Sequence, residues 1–303
     1  MAQAAGTGPD TWTTRTLLEW IEGHLANKEV QEPLITSRWL VAHVIGTDPI
    51  HLYTDLDRPA SPDELGQLRS LVQRAAQHEP VQYMLGEGGF LGRHFNVTPA
   101  VLIPRTATEL LVQIFDTWWR QLDPEMRPDP IHIADIGTGS GCIAISVALQ
   151  RPEAIVIATD LQSDALEVAA ANVERHGVGD RVTLVTSDAC AGLEGRGQNG
   201  CFHAILSNPP YIDDQRYAQL DPNVQQHEPE VALRGGADGL EVVRQVIAQA
   251  PEHLLPGGLL AIEVDDHHAG RARSLLEQAG LQDARVVTDE HGDDRFVVGS
   301  QGD

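Results

Sequence analysis

Residues 131–150, IHIADIGTGSGCIAISVALQ, decide the fold of this 303-residue chain. A mostly apolar run at 131–136 leads into three closely spaced glycines, after which a second apolar run begins. Glycines allow a tight turn and a close approach of the backbone to a ligand, so the pattern predicts a strand, a ligand-binding loop and a helix. The loop lacks the G-x-G-x-x-G spacing of dinucleotide folds and the Gly-Lys-Ser/Thr of phosphate loops. It therefore gives no specific support for a pyrophosphate ligand.

Short apolar runs after this stretch alternate with helical ones. The runs are AIVIATD at 154–160, VTLVTSDAC at 182–190, CFHAILSNPPY at 201–211 and GGLLAIEV at 257–264. This alternation is typical of an open, mostly parallel sheet with helices on both faces. Residues 284–300, ARVVTDEHGDDRFVVGS, predict two more strands around a turn, which would form an antiparallel edge. We therefore expect an α/β fold with a Rossmann-like sheet of about seven strands.

The first part of the chain has a helical pattern. Apolar residues recur at helical spacing in 15–25 and in 37–46, the latter after a possible N-cap at Thr36 or Ser37. Residues 61–78 open with Ser-Pro and two acidic residues, which is a helix-start signal. Each segment is amphipathic, so we expect a small bundle.

A glycine-rich segment, GGFLGRHFNVTPAVLIPR at 88–105, joins the two patterns. Its partial alternation of apolar and polar residues predicts a β-hairpin. We therefore predict a helical domain at residues 1–88, a β-hairpin linker at 89–104 and the α/β domain at 105–303.

The composition limits the function classes. Net charge is −23 at pH 7 and 42% of the residues are hydrophobic. No apolar run approaches the roughly 20 residues that span a bilayer, and the N-terminus lacks the regions of a signal peptide, so we expect a cytoplasmic protein without membrane partners. Free nucleic acid is a poor substrate because no basic stripe is visible. The acidity either attracts a basic protein partner or serves solubility, and both interpretations stay open.

Cysteine and metal chemistry have weak support. Cys142, Cys190 and Cys201 are odd in number and show no C-x-x-C spacing, so neither a disulfide framework nor structural zinc is expected. The segments 263–270, EVDDHHAG, and 288–295, TDEHGDDR, hold Asp and His without recognised ligand spacing, so we expect no metal.

An acidic residue follows the glycine loop by about 20 positions, at the end of the next predicted strand. This residue, Asp160, can accept hydrogen bonds from both ribose hydroxyls of a nucleoside. Residues 131–264 thereby resemble S-adenosylmethionine-dependent methyltransferases. The resemblance implies that S-adenosylmethionine is bound by Asp160 and by the loop residues Gly137, Thr138, Gly139, Ser140 and Gly141. The alternative is a packing turn followed by a solvated carboxylate.

Two consecutive prolines end the strand predicted at 201–207. Pro209 and Pro210 fix φ and donate no backbone hydrogen bond, so they stop the sheet and leave nearby carbonyls free. Ligands of open α/β sheets lie beyond the carboxyl ends of the strands. We therefore expect Asn208, Pro209, Pro210 and Tyr211 to cap the fourth strand of the sheet beside the first. A purely structural turn is the alternative.

The tetrad formed by Asn208, Pro209, Pro210 and Tyr211 suits a planar NH2 group as methyl acceptor. Such a nitrogen has a delocalised lone pair and is a poor nucleophile, so it must be held in line with the methyl group. Asn208 Oδ1 and the Pro209 carbonyl can accept its two N–H bonds and can stabilise the positive charge that develops on nitrogen. The Tyr211 ring can lie against the plane of the acceptor, a role that leaves its hydroxyl unexplained.

The segments around the tetrad are similar to one family across nearly the whole chain. They are EPVQYMLGEGGFLGRHFNVTPAVLIPR at 79–105, TELLV at 108–112, ADIGTGSGCIAIS at 134–146, SNPPYI at 207–212, HEPEVALRGGADGLEVVRQVI at 227–247 and LLPGGLLAIEV at 254–264. Together they resemble the peptide-chain release-factor glutamine N5-methyltransferases. The resemblance implies that the acceptor is the glutamine of the Gly-Gly-Gln loop of release factors, which the N-terminal domain helps to hold. It also implies that the loop QHEPEVAL, residues 226–233, lines the acceptor site.

Two positions depart from the family pattern. The family usually reads Ile-Pro-Arg-Pro-Glu-Thr-Glu. In this chain Thr106 and Ala107 replace the second proline and the first glutamate of that pattern, whereas Arg105 and Glu109 remain. Ala189 stands where some members place an aromatic residue beside the adenine. The first departure bears on linker geometry and the second on donor affinity.

The tetrad alone leaves several acceptors open, since it also occurs in methyltransferases that act on adenine and on cytosine N4. A ribosomal-protein glutamine methyltransferase, a nucleic-acid adenine methyltransferase and a non-catalytic cofactor-binding protein are the alternatives. The enzyme acting on release factors, as a monomer, is the favoured interpretation.

Overall fold

A computed structural model describes residues 11–193 and 201–302 of the chain. They divide into two compact units. The first comprises the chain up to Gly86 together with Pro222–His227, and the second comprises the remainder. No sequence pattern predicts that Pro222–His227 groups with the first unit. No helix within the described ranges is long and apolar enough to cross a membrane.

Helices and strands occupy most of both units. The helices are α1 Thr14–Ala26, α2 Pro33–Ile45, α3 Pro62–Ala75, α4 Val81–Leu85, α5 Glu109–Gln121, α6 Cys142–Gln150, α7 Ser163–His176, α8 Asp214–Tyr217, α9 Pro222–His227, α10 Glu230–Leu233, α11 Glu241–His253 and α12 Ala269–Gln278. The strands are β1 Glu87–Phe90, β2 Arg93–Asn96, β3 Ile131–Ile136, β4 Ala154–Asp160, β5 Val182–Thr186, β6 Phe202–Ser207, β7 Leu254–Glu263, β8 Gln282–Thr288 and β9 Asp294–Ser300.

The first unit is the predicted helical bundle. Helix α3 begins where the sequence indicated, because Ser61 and Glu64 form a capping box around Pro62. Apolar side chains of α1, α2 and α3 form its core, among them Ile21, Leu25, Leu40, Leu68 and Val72. Their burial supplies the hydrophobic free energy that holds these short helices together.

Helix α2 begins earlier than predicted. The predicted N-cap at Thr36 or Ser37 is wrong, since α2 starts at Pro33 and both residues are buried inside it. The Ser37 hydroxyl donates instead to the Leu34 carbonyl at 2.9 Å. Proline has no N–H and its φ suits the first turn, so it can start a helix without a side-chain cap.

The predicted hairpin is formed by β1 and β2, which pair in antiparallel fashion from Glu87↔Asn96 to Phe90↔Arg93. Leu91 and Gly92 connect them, and both have positive φ, 48° and 71°. Two such residues give a turn whose twist matches that of the paired strands. Phe90 and Phe95 are buried in the core of the second unit.

The predicted seven-stranded sheet is confirmed, with the order β5-β4-β3-β6-β7-β9-β8. Strands β5, β4, β3, β6 and β7 are parallel, and β9 is antiparallel to both of its neighbours. Alternate residues of β3 enter different cores: Ile131 and Ile133 pack with α5 and α6, whereas Ala134 and Ile136 pack with α11 and α12. Helices therefore cover both faces of the sheet.

The register of β3 and β6 places two predicted site segments side by side. The strands are neighbours, and their last paired residues are Ile136 and Ser207. The glycine loop follows Ile136 directly and the tetrad follows Ser207 directly, so both segments leave the sheet at the same row. The predicted position of the tetrad, beside the strand that carries the loop, is confirmed.

Candidate active site

The glycine loop leaves β3 through three residues with positive φ. Gly137, Gly139 and Gly141 have φ of 74°, 54° and 82°, a region that favours glycine. At Gly141 a Cβ atom would also lie 3.0 Å from Ile145 Cδ1 of the following helix, whereas at Gly139 the Cβ position has no described atom within 4 Å. The loop thus packs closely at its helical end and leaves space above its middle.

The Asp135 carboxylate fixes this loop by hydrogen bonds, a role that was not predicted from the sequence. Its carboxylate is fully buried, and Oδ2 accepts hydrogen bonds from Thr138 Oγ1 at 2.6 Å and Ala144 N at 3.1 Å. Burial raises the pKa of Asp135 to about 7. The sequence signal for this role is an acidic residue within a mostly apolar strand.

Asp160 lies at the end of β4 and contacts the loop directly. Its Oδ2 accepts from Gly139 N and its Oδ1 from Gln162 N, both at 2.9 Å. Each carboxylate oxygen has two lone pairs, so each can accept one further bond. Burial raises the pKa of Asp160, and the backbone N–H bonds counteract part of that rise. Asp160 therefore shapes the loop as well as facing the space above it.

Asn208 at the end of β6 has a fixed side-chain amide. Its Nδ2 donates to the Thr108 hydroxyl at 3.1 Å, and Thr108 is the residue before α5. The neighbouring Ser207 hydroxyl donates to the Ile136 carbonyl at 2.8 Å, which ties β6 to β3. Asn208 Oδ1 is left as the amide atom available to a ligand. No sequence pattern predicts this contact of Thr108.

The hydroxyl of Tyr211, unexplained by the sequence, donates to Glu263 Oε1 at 3.1 Å. Glu263 ends β7 and is buried. Burial raises its pKa, and the hydroxyls of Thr108 and Tyr211 counteract part of that rise. Burial together with the Glu263 charge raises the pKa of Tyr211, so its hydroxyl stays protonated as a donor. The position of the Tyr211 ring relative to an acceptor stays a prediction.

A glycine-rich loop after α10 supports the tetrad from behind. Ile212 N donates to the Leu233 carbonyl at 2.9 Å, and Gly235 N donates to the Ile212 carbonyl at 2.8 Å. A Cβ atom at Gly235 would lie 2.7 Å from the carbonyl oxygens of Pro210 and Gly239. Only glycine fits at this position, which explains the Gly-Gly pair of the segment 227–247.

Arg105 and Glu228 connect two loops of the second unit. The Arg105 guanidinium pairs with the buried Glu228 carboxylate, which also lies 3.4 Å from Ile103 N.

The departure from the family pattern at Thr106 and Ala107 lies in a hydrogen-bonded turn, since Glu109 N donates to the Thr106 carbonyl at 3.1 Å.

These segments enclose a cavity with about 1050 Å³ of empty space, part of it open to solvent. The predicted residues Gly137, Thr138, Gly139, Ser140, Asp160, Asn208, Pro209 and Pro210 line it. Gly141 and Tyr211 are not among the described residues that line it. Further lining residues are Leu161, Asp188 and Ala189 together with Ala100–Leu102, Pro104, Arg105, Thr108, Val231 and Ala232.

The Asp and His cluster of the segment 263–270 is used within the fold. Ligand atoms of Asp265, Asp266 and His267 lie within 4.8 Å of one another. However, Asp265 pairs with Arg216 at 2.5 Å and also accepts from His267 N at 3.1 Å. Its carboxylate thus has protein partners.

Comparison with known proteins places the chain in a family. A family model described as the PrmC N-terminal domain matches residues 16–86, and one described as a methyltransferase small domain matches residues 106–226. The release factor glutamine methyltransferase of Geobacter sulfurreducens is 39% identical over 97% of this chain and 99% of its own length. That of Chlorobaculum tepidum is 36% identical over 94% and 96%. The chain belongs to the release factor glutamine methyltransferase family.

The predicted family is therefore confirmed, and with it the expectation of an S-adenosylmethionine-dependent methyltransferase. A solved structure agrees with the fold of this family member. The catalytic domain of hMettl16 in complex with MAT2A 3′UTR hairpin 6 has a TM-score of 0.52 and is 15% identical over 81% of this chain and 84% of that chain.

The cavity of this methyltransferase fits its donor. S-adenosylmethionine carries a nucleoside with two ribose hydroxyls and a net positive charge, and the cavity offers the free lone pairs of Asp160 together with the carboxylate of Asp188. Leu161, half exposed, and Ala165 add apolar surface nearby. The small Ala189 side chain supplies no ring to stack on the adenine.

Proposed function

We propose that this protein methylates the side-chain amide nitrogen, N5, of the glutamine in the Gly-Gly-Gln motif of peptide-chain release factors. The names of its relatives support release factors as the substrate class. The structural observation that carries the proposal is the Asn208 amide, which lines the cavity and whose nitrogen is bound to Thr108. A fixed carbonyl oxygen beside a donor site is what a glutamine NH2 group requires.

The donor, when bound, supplies an electrophilic methyl group on a sulfonium. We assign its binding to the loop from Gly137 to Gly141 and to Asp160, whose carboxylate would accept the ribose hydroxyls. Asp160 is held for this role by Gly139 N and Gln162 N. Since Gly139 has open space at its Cβ position, the loop backbone can approach the ligand closely.

The acceptor nitrogen is held by two oxygens in this proposal. Asn208 Oδ1 and the Pro209 carbonyl accept its N–H bonds and orient its lone pair for attack. As the nitrogen gains positive charge, these fixed acceptors bind the transition state more tightly than the ground state. Pro209 and Pro210 contribute rigidity, because neither can re-pair with the sheet. Tyr211 secures the end of the segment through Glu263.

The acceptor approaches along the wall formed by residues 100–105 and 231–232. The wall is apolar at Val231, whose side chain is 45% exposed. It carries a positive charge at Arg105, whose guanidinium pairs with Glu228. We expect a loop with small residues, such as Gly-Gly, to bring its glutamine past it. We expect a monomer, which acts in the cytoplasm where translation terminates.

The test is a direct comparison of acceptors. The purified full-length chain is incubated with methyl-labelled donor and, in parallel, with a release factor, the same factor with its motif glutamine changed to alanine, a ribosomal protein, or DNA. We expect label only in the unaltered release factor. Label in the altered factor, in the ribosomal protein or in DNA instead would overturn the proposal.

A further inference from the structure

Asn172 in helix α7 is hydrogen-bonded to two separate segments of the second unit. Its side chain is fully buried, and Nδ2 donates to the Ser140 carbonyl at 2.8 Å and to the Asn96 carbonyl at 3.0 Å. Its Oδ1 atom accepts from Asn96 N at 2.7 Å. Ser140 belongs to the glycine loop, and Asn96 ends strand β2 of the hairpin. One amide group therefore links the glycine loop to the hairpin.

The three partners allow this amide a single orientation. An amide group has two N–H donors and one carbonyl acceptor. The carbonyls of Ser140 and Asn96 can only accept, and Asn96 N can only donate. If the amide were turned over, its NH2 group would face the Asn96 N–H group and both buried carbonyls would lose their bonds, which is costly. The link between the two segments thus has a defined geometry.

Helix α7 is also packed against both of these segments. A Cβ atom at Gly141, the last residue of the glycine loop, would lie 3.4 Å from Ala169 Cβ. On the hairpin, Arg175 donates to Asn96 Oδ1 at 2.8 Å and to Glu87 Oε1 at 2.7 Å. The Asn172 amide is therefore carried by a helix that contacts the loop and the hairpin directly.

The hairpin in turn contacts the acceptor side of the cavity. A Cβ atom at Gly88 in β1 would lie 3.2 Å from Pro104 Cδ, and Pro104 lines the cavity. At the hairpin turn, Leu91 N donates to Glu109 Oε1 at 2.6 Å. Glu109 is the first residue of α5 and follows Thr108, which also lines the cavity. The position of the hairpin therefore bears on the position of these lining residues.

We propose that Asn172 is a positioning residue for methyl transfer: it holds the glycine loop, which takes the methyl donor, at a fixed distance from the hairpin, which supports the acceptor side. The inference rests on the proposed function. Asn172 is not among the described residues that line the cavity, so it acts through the two segments that it joins. The acceptor nitrogen must lie in line with the methyl group, and a misplacement of about 1 Å can cost about 10²-fold in rate.

Single-turnover kinetics of two variants test this role. Asn172→Ala removes all three bonds, whereas Asn172→Asp keeps an acceptor for Asn96 N and loses the NH2 group. At saturating methyl donor and release factor, we expect each variant to be about tenfold slower or more, with the dissociation constant for the methyl donor within about threefold of the parent's. Rates are expressed per methyl-donor binding site, so that unfolded protein does not contribute. A normal rate in either variant would overturn the inference.

Val173→Ala is the matched control. Val173 is the next residue of α7, and its side chain is buried in an apolar core, so the change lowers stability and leaves the polar link intact. We expect its single-turnover rate to stay within about twofold of the parent's. A loss as large as that in Asn172→Ala would overturn the inference, because destabilisation of α7 alone would then explain the effect.

A second readout needs no methyl acceptor. Asn96 is not among the described residues that line the cavity, so a change of its backbone amide NMR signal on addition of S-adenosylmethionine reports a displacement passed through the protein. We expect this change in the parent and in Val173→Ala, and a much smaller one in Asn172→Ala. An equal change in Asn172→Ala would overturn the inference. If the parent fails to methylate release factors while the signal change depends on Asn172, the proposed function fails and the link between loop and hairpin stands.

Discussion

Asn208 and Thr108 are 100 positions apart in the chain, and the Asn208 side-chain nitrogen donates to the Thr108 hydroxyl at 3.1 Å. The bond joins the end of β6 to the start of α5, two of the segments that line the cavity. An amide held in this way is preorganised, and preorganised polar groups contribute most at a centre where charge develops.

Removing the Asn208 side chain should slow the chemical step selectively. We expect Asn208→Ala to lower kcat by about 10²-fold or more, the scale for losing one preorganised polar contact, while donor affinity stays near that of the parent. Asn208→Asp loses the NH2 group that donates a hydrogen bond to Thr108. Because it keeps an acceptor oxygen, it should retain some activity. Single-turnover rates at saturating donor measure both. Near-normal transfer by Asn208→Ala would leave the tetrad as a structural strand terminus.

Removing the Asp160 carboxylate should weaken donor binding. Two charge-assisted bonds are each worth roughly 1.5–3 kcal/mol, so we expect Asp160→Ala to raise the dissociation constant by at least about tenfold. Part of the loss will come from the loop, since Gly139 N loses its acceptor. Calorimetric titration is the measurement, with Asp164→Ala, a nearby exposed carboxylate, as the control. An unchanged constant for Asp160→Ala would exclude it from the donor site.

Adding one methyl group behind the tetrad should displace it. Gly235→Ala places a Cβ 2.7 Å from the Pro210 carbonyl oxygen, so we expect a loss of about 1–3 kcal/mol in stability and a lower kcat. Gly270→Ala is the matched control because its Cβ meets no described atom within 4 Å and the residue lies in α12. Thermal unfolding and kcat are measured for both. Equal behaviour of the two variants would contradict the close packing at Gly235.

The pH dependence of stability should carry the signature of Asp135. Its pKa is raised to about 7 in the fold, so its contribution to stability is full below the ordinary Asp range and is lost as pH rises toward and through 7. Asp135→Asn has no such charge to bury. We expect the unfolding temperature of the variant, relative to the parent, to increase from pH 5 to pH 8. Parallel curves for the two proteins would show that Asp135 does not titrate in this range.

Salt should separate the two interpretations of the acidic surface. With a net charge of −23, steering of a basic release factor predicts that kcat/KM for this protein acceptor falls as salt rises. A short glutamine peptide should respond little. Equal salt sensitivity of the two acceptors would assign the acidity to solubility.

Much of this architecture could be predicted from local patterns. The glycine run before an apolar helix predicted the loop, and the double proline predicted where β6 ends, because both depend on backbone properties of the residues themselves. The register of parallel strands then placed the loop and the tetrad at one row. The start of α2 was missed because Pro33 competes with Thr36 and Ser37 as a helix-start signal.

The supporting groups could not be predicted in the same way. Thr108, Glu228 and Glu263 are common residue types, and each acts on a partner that is distant in the chain. No spacing rule connects such residues before the fold is known. Gly235 was visible as part of a Gly-Gly pair, but its contact with the Pro210 carbonyl follows from packing alone.

The cavity is lined partly by residues at strand ends and partly by residues outside the sheet, and this division matters for protein engineering. The donor side is built on strand ends, whereas residues 100–105 and 231–232 lie outside the sheet. Grafting those two outer segments from a relative should therefore redirect the enzyme to another amide-bearing protein, while the donor-binding residues are kept. The same scaffold can in this way be recruited to new acceptors by exchanging surface loops alone.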